Sequence, residues 1–109
     1  MLYDYLSAEE ILSDLIEINT VSALSNLELI KYIENYLSKL GLESVRISNH
    51  DGTKANLYAT IGPSDTAGIV LSGHTDVVPV ANQTWKTNPF ELNRKSVDNK
   101  IRLYGRGTA

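Results

Sequence analysis

Apolar positions recur at helical spacing in two stretches near the start of the chain. Ile11, Leu12, Leu15 and Ile16 follow Ser7-Ala8-Glu9-Glu10. That tetrapeptide has the form of a capping box, in which Ser7 takes the N–H of Glu10 and the Glu10 carboxylate returns to the N–H of Ser7. The pattern predicts a helix over 8–18, ended by Asn19-Thr20-Val21, where a polar Asn and β-branched residues disfavour continuation. Ser25-Asn26-Leu27-Glu28 has the form of a second capping box, and Leu27, Ile30, Ile33, Leu37 and Leu40 make one apolar stripe. Gly41 stands where a left-handed cap belongs, so a second helix is predicted over 26–40.

Beyond Gly41 the period falls from 3.6 to 2. Ser44-Val45-Arg46-Ile47 alternates polar and apolar, which predicts a half-buried strand near 43–48. Asn49-His50-Asp51-Gly52 is turn chemistry, and Ala55 to Ile61 reads as the next strand. After the loop Gly62-Pro63-Ser64-Asp65 comes Gly68-Ile69-Val70-Leu71, an unbroken apolar run expected to be a central strand over 68–73. Residues 80–89 read as loop. Phe90 to Asn93 and Ile101 to Tyr104 read as short strands around a polar turn at Ser96-Val97-Asp98-Asn99. Two helices followed by several strands predict an α/β layered domain, with both helices on one face of a mixed sheet.

A chain of 109 residues suits one small domain and can bury roughly 65% of its unfolded surface. The net charge of −3 lacks the basic footprint of a nucleic-acid binder. The absence of cysteine excludes disulfides and thiolate metal sites. Met1 to Tyr5 show neither the basic nor the apolar segment of a signal peptide, and no apolar run approaches membrane-spanning length. A soluble cytoplasmic protein is the expectation.

His74-Thr75-Asp76 is the chemical centre of the sequence. It follows Ile69-Val70-Leu71 through Ser72-Gly73, so an apolar strand is expected to end by presenting an imidazole and, two residues on, a carboxylate. An imidazole that ligates a metal commonly donates its other N–H to a carboxylate or carbonyl, which fixes its tautomer. On the residues alone, such a histidine is more often a hydrogen-bonded structural residue, and one His with one carboxylate does not make a metal site, because zinc takes about four ligands. The second histidine, His50, lies in a turn and is expected to be exposed there. Ser72, His74 and Asp76 would share one face of an extended segment, with Ser72 and His74 parallel, which does not build a nucleophilic triad. Gly105-x-Gly107 lacks the rest of a phosphate loop and reads as a close backbone approach or turn. Trp85 with Pro89 and Phe90 reads as a clamp for the long loop, or as an aromatic substrate wall. Asn82-Gln83-Thr84 matches a glycosylation sequon and is set aside, since nothing points to secretion.

Together these residues are more specific than apart. Leu71 through Val80 (LSGHTDVVPV), then Trp85 through Pro89-Phe90, then Leu103 through Ala109 (LYGRGTA) resemble, in order and spacing, the two-zinc aminoacyl deacylase and exopeptidase family. Ile18-Asn19-Thr20-Val21-Ser22 between two helices is similar too, with Asn19 where many members carry proline. Lys54 to Gly62 looks most like the acetylornithine deacetylase branch. The resemblance implies that residues 1–109 form an incomplete N-terminal portion of a two-zinc aminopeptidase-like catalytic domain, without the dimerisation domain. It implies that His74 is a zinc ligand and that Asp76 serves catalysis by supporting it. It places the zinc-bridging aspartate directly after Ala109, and the paired glutamates, one of them the general base, further on.

The implied cofactor is Zn2+, two ions per full-length subunit, with Co2+ as a possible substitute and none held tightly by this stretch alone. The implied reaction is hydrolysis of the amide of an N-acyl amino acid. N-acetylornithine, giving ornithine and acetate in arginine biosynthesis, is the leading substrate; N-succinyl-diaminopimelate or a dipeptide is the alternative. Expected partners are that small molecule and a second copy of the chain in a homodimer, with no nucleic acid and no membrane. This stretch alone is expected to be inactive. The competing expectation is a naturally short, non-enzymatic interaction module.

Overall fold

A computed structural model describes residues 5–108. It shows an α/β protein with two helices and two small antiparallel sheets, in the order α1 (Ala8–Glu17), α2 (Leu27–Lys39), β1 (Ser44–Ser48), β2 (Ala55–Ala59), β3 (Asn93–Val97) and β4 (Lys100–Tyr104). Among the described residues no helix is long and apolar enough to cross a membrane. The chain divides into two compact units. One comprises residues up to Leu24 together with Val77 onward; the other is Ser25–Asp76.

In the first unit α1 begins as its sequence requires. Ser7 Oγ accepts from the Glu10 N–H at 3.2 Å, and Glu10 Oε2 accepts from the Ser7 N–H at 2.7 Å. These bonds hold the Glu10 carboxyl below its ordinary pKa, the Ser7 backbone bond contributing most. The helix stops at Ile18, which turns extended, and Asn19 Oδ1 accepts from the Val21 N–H at 3.1 Å to shape the exit. Thr20 and Ser22 then exchange backbone hydrogen bonds with Val77, making an isolated parallel bridge between Val21 and Val77. Ile16, 4% exposed, is the buried residue of α1. It lies over Gly105, where a Cβ would stand 3.2 Å from Ile16 Cγ2 and 3.6 Å from the Pro89 carbonyl oxygen. That is the close approach anticipated for the Gly105-x-Gly107 pair. The β3–β4 hairpin pairs Asn93 with Tyr104 through Val97 with Lys100. Its loop is two residues, Asp98 and Asn99, with φ of 50° and 60°, the left-handed pair of a type I′ turn.

The second unit is α2 against the β1–β2 hairpin. Gly41, at φ 74°, ends α2: its N–H bonds the Ser38 carbonyl, and the Leu42 N–H bonds the Leu37 carbonyl, the paired bonds of a Schellman cap. Ile30 is 1% exposed, and Leu29, outside the anticipated stripe, is 5% exposed. The hairpin register runs from Ser44 opposite Ala59 to Ser48 opposite Ala55. Arg46 meets Glu34 of α2 through two hydrogen bonds, Nε to Oε1 at 2.9 Å and Nη2 to Oε2. The face of Arg46 and Leu57 therefore turns towards the helix.

Three expectations need correction. Among the described residues there is no mixed sheet, because each sheet has two strands and both are antiparallel. Residues 68–73 form no strand, and Ile69, Val70 and Leu71 are 91%, 76% and 92% exposed. A fully apolar strand is stable only with neighbours on both edges and layers on both faces, and among the described residues none covers this run. The strand anticipated at Phe90 to Asn93 begins only at Asn93. Asn88 folds the preceding segment into a turn, its Oδ1 accepting from the Phe90 N–H at 3.0 Å. In addition, α1 groups with β3–β4 rather than joining α2 on one sheet.

The Arg46 hydrogen bond holds the Glu34 carboxyl below its ordinary pKa. A carboxyl depressed by folding contributes stability that is present above its unfolded pKa and lost as pH falls through the lower folded value. Urea titrations from pH 6 down to pH 3 should show Glu34→Gln with a smaller acid-induced loss of stability than the parent. An unchanged acid limb would remove Glu34 from the account.

Candidate metal-ligand site

The site lies in the second unit, at the end of the extended segment that leaves the exposed apolar run. What holds that segment is Asn26, buried at the N-terminal end of α2. The expected capping box does not form there. Asn26 makes no side-chain cap bond, and it is Ser25 Oγ that accepts from the Leu27 N–H at 3.2 Å. The Asn26 carboxamide is engaged elsewhere: Oδ1 accepts from the Ala55 N–H at 3.0 Å, and Nδ2 donates to the Ala55 carbonyl at 2.8 Å and to Thr75 Oγ1 at 2.9 Å. Both amide donors and the amide oxygen are thus used, and the arrangement leaves no choice of amide orientation. Sequence reasoning missed this residue's role because its partners lie 29 and 49 positions away.

With Thr75 fixed, its two neighbours are presented outward. His74 Nδ1 lies 2.9 Å from Asp76 Oδ1 and 2.9 Å from the Asp76 carbonyl oxygen. A carbonyl oxygen can only accept, so Nδ1 carries the hydrogen, and in the neutral ring Nε2 then keeps its lone pair. The imidazole side chain is 84% exposed and the Asp76 side chain 54% exposed. The expected His74–Asp76 hydrogen bond is therefore formed, in the tautomer that leaves Nε2 as the outward nitrogen. The residues present fit one imidazole ligand and its orienting carboxylate. Among the described residues no group of three or more His, Asp or Glu side chains could hold a metal ion.

An open cleft of about 770 Å³ runs beside the pair, floored by Ile30, Ile33 and Leu37 of α2 and by Leu57 of β2, with Ser72 to Asp76 along its wall. His50 is apart from this chemistry, exposed in the turn before β2. There Asp51 Oδ1 takes the Thr53 hydroxyl at 2.6 Å and its N–H at 3.0 Å. In the other unit, Trp85 stacks on Arg106, with the guanidinium carbon 4.8 Å from the ring centroid. Arg106 also donates through its side chain to the Pro79 carbonyl and to Gln83 Oε1, and its backbone N–H donates to the Pro89 carbonyl at 2.7 Å. The contact found at Trp85 is thus with the Arg106 guanidinium, a residue outside the expected grouping of Trp85 with Pro89 and Phe90.

Comparison with known proteins gives the chain's relatives. The chain is 44% identical over 87 residues to an acetylornithine deacetylase of Proteus mirabilis, which covers 78% of the chain and 21% of that protein. It is 40% identical over 106 residues to an acetylornithine deacetylase of Buchnera aphidicola, 91% of the chain and 26% of the relative. It is 36% identical over 102 residues to a succinyl-diaminopimelate desuccinylase of Legionella pneumophila, 93% of the chain and 25% of the relative. The chain thus spans between a fifth and about a quarter of the length of these relatives. No family model and no solved structure matches it. The resemblance read from the motifs is met in these relatives: over most of its own length the chain is similar to proteins named as deacylases. The relatives by name are the acetylornithine deacetylases and the succinyl-diaminopimelate desuccinylases.

The Asn26 clamp is open to a direct test. Asn26→Ala leaves the Ala55 N–H and carbonyl without their partners inside the fold, and an unsatisfied buried backbone group costs about 1–3 kcal/mol. The variant should lose at least about 1 kcal/mol in urea unfolding. Its Thr75 and His74 amides should exchange with solvent faster than the parent's. Unchanged exchange at 74–75 would show that the segment is held by something else.

Proposed function

We propose that this chain is the part of a zinc-dependent amidohydrolase that carries one histidine ligand, and that the whole protein hydrolyses the amide of an N-acyl amino acid. N-acetylornithine, cleaved to ornithine and acetate, is the substrate we assign. N-succinyl-diaminopimelate or a dipeptide is the alternative. The observation that carries the reading is His74, with Nδ1 donated to Asp76 and Nε2 left for a metal. The names of the relatives support the reaction class.

His74 would bind the ion through Nε2. Asp76 would hold the imidazole ring in place and raise its basicity by accepting the Nδ1–H. Asn26 would keep the pair at the end of the segment by gripping Thr75. A zinc ion held there supplies polarisation of the scissile carbonyl and a bound water acidic enough to react near neutral pH. These residues supply one ligand and its support, so hydrolysis requires further ligands and a base from elsewhere in the protein. The present chain alone is accordingly inactive in this reading. A second reading, a short interaction module, draws on the exposure of Ile69, Val70 and Leu71. The same exposure supports a homodimeric assembly.

In the full-length protein, Asp76→Ala should weaken zinc affinity about 10–100-fold, the usual loss when a ligand's supporting hydrogen bond is removed. Activity assayed across a zinc buffer series should recover as free zinc rises. Parent-like activity at limiting zinc would refute the role given to Asp76. A full-length chain that neither binds zinc nor cleaves N-acetylated or N-succinylated amino acids would leave the interaction module as the reading.

A further inference from the structure

The β3–β4 hairpin carries a charge pattern that its own folding does not call for. Residues 93–104 hold four of the chain's ten Lys and Arg (Arg94, Lys95, Lys100 and Arg102) and, in Asp98, one of its thirteen Asp and Glu. A ribbon of net charge +3 is thus set in a chain of −3. Directly opposite residues of an antiparallel pair share a face. Lys95 stands opposite Arg102, Val97 opposite Lys100, and Asn93 opposite Tyr104, so three cations and one tyrosine lie on one side. The other side carries Arg94 and Leu103, and Arg94 reaches Glu9 of α1 at 3.1 Å, so that side faces the helix. The three cations are exposed on the outward side. None of them has an ion-pair partner among the described residues. Lys95 rests over Tyr104, its Nζ 5.6 Å from the ring centroid.

Like charges placed directly across a strand pair destabilise it, so the Lys95–Arg102 pair opposes the fold that bears it. Among the described residues the hairpin is also a sheet of two strands. In a two-residue hairpin the residues flanking the turn exchange both backbone bonds and every second pair does so after them. Ile101 and Leu103 therefore turn their N–H and C=O groups to the outer edge of β4. An extended segment added antiparallel to that edge would place alternate side chains beside Lys100 and Arg102 on the basic face.

We propose that the outer edge and outward face of β4 dock an extended, acidic polypeptide segment. Carboxylates two residues apart on that segment would pair with Lys100 and Arg102, while its backbone bonds Ile101 and Leu103. A protein segment suits the site better than a nucleic acid does. The open edge offers strand pairing, which a nucleic acid cannot use, and the net negative chain repels a long polyanion.

The test is a titration of the isotopically labelled chain with the peptide Glu-Val-Glu-Val-Glu-Val-Glu, followed by amide shifts. Its lysine counterpart and a short single-stranded RNA serve as controls. The acidic peptide should shift and protect Ile101 and Leu103, weaken as salt rises, and lose at least about fivefold in affinity in Lys100→Glu/Arg102→Glu, since exposed charge pairs are individually modest. Lys95→Glu is the second variant. It removes the like-charge pair, so it should stabilise the hairpin while lowering peptide affinity, which separates binding from folding. Binding unaffected by charge reversal, binding without protection of Ile101 and Leu103, or tighter binding of the RNA would each overturn the proposal.

Discussion

One carboxamide ties the candidate site to its unit of the fold. Ala55 opens β2 with a buried N–H and C=O facing α2, where no strand pairs with them. Asn26 Oδ1 and Nδ2 take both, at 3.0 and 2.8 Å, as the backbone of a neighbouring strand would. The same Nδ2 grips Thr75 at 2.9 Å. A side chain fixed by three bonds at a helix terminus has little freedom left. It imposes that order on a segment that otherwise runs exposed from Thr60 through His74.

The consequence reaches chemistry through a short chain of causes. Thr75 cannot drift, so His74 and Asp76 leave the anchor as a local turn in which the imidazole N–H meets two oxygens of the same residue. One N–H shared between two acceptor oxygens on one side of the ring decides the tautomer without any distant partner. The hydrogen-bearing ring nitrogen of His74 is therefore set by a residue two positions away, while the location of the pair is set by α2 and β2.

That division explains what could be read from the residues. The helices were legible to within a residue or two because their signals are local: the Ser7–Glu10 box, the apolar recurrence and Gly41 at φ 74°. The strands β1, β2 and β4 were legible through period-2 alternation and turn residues. His74 and Asp76 were legible for the same reason, since one bond joins neighbours two apart. The run Gly68-Ile69-Val70-Leu71 was recognisable as strand-forming sequence, but a strand exists only through its partners, and apolar composition does not supply them. The grouping of α1 with the β3–β4 hairpin, the Arg106–Trp85 stack and the Asn26 clamp all depend on long-range contact, and no spacing along the chain announces them.

The central claim is that His74 is prepared as a metal ligand before any metal arrives. Nitrogen-15 NMR of its imidazole, in the neutral form of the chain, reads this directly. Free imidazole side chains favour the hydrogen on Nε2. The account predicts the opposite for His74, with hydrogen on Nδ1 and a bare Nε2, while His50, exposed in its turn, keeps the ordinary preference. A His74 ring with hydrogen on Nε2, indistinguishable from His50, would contradict it.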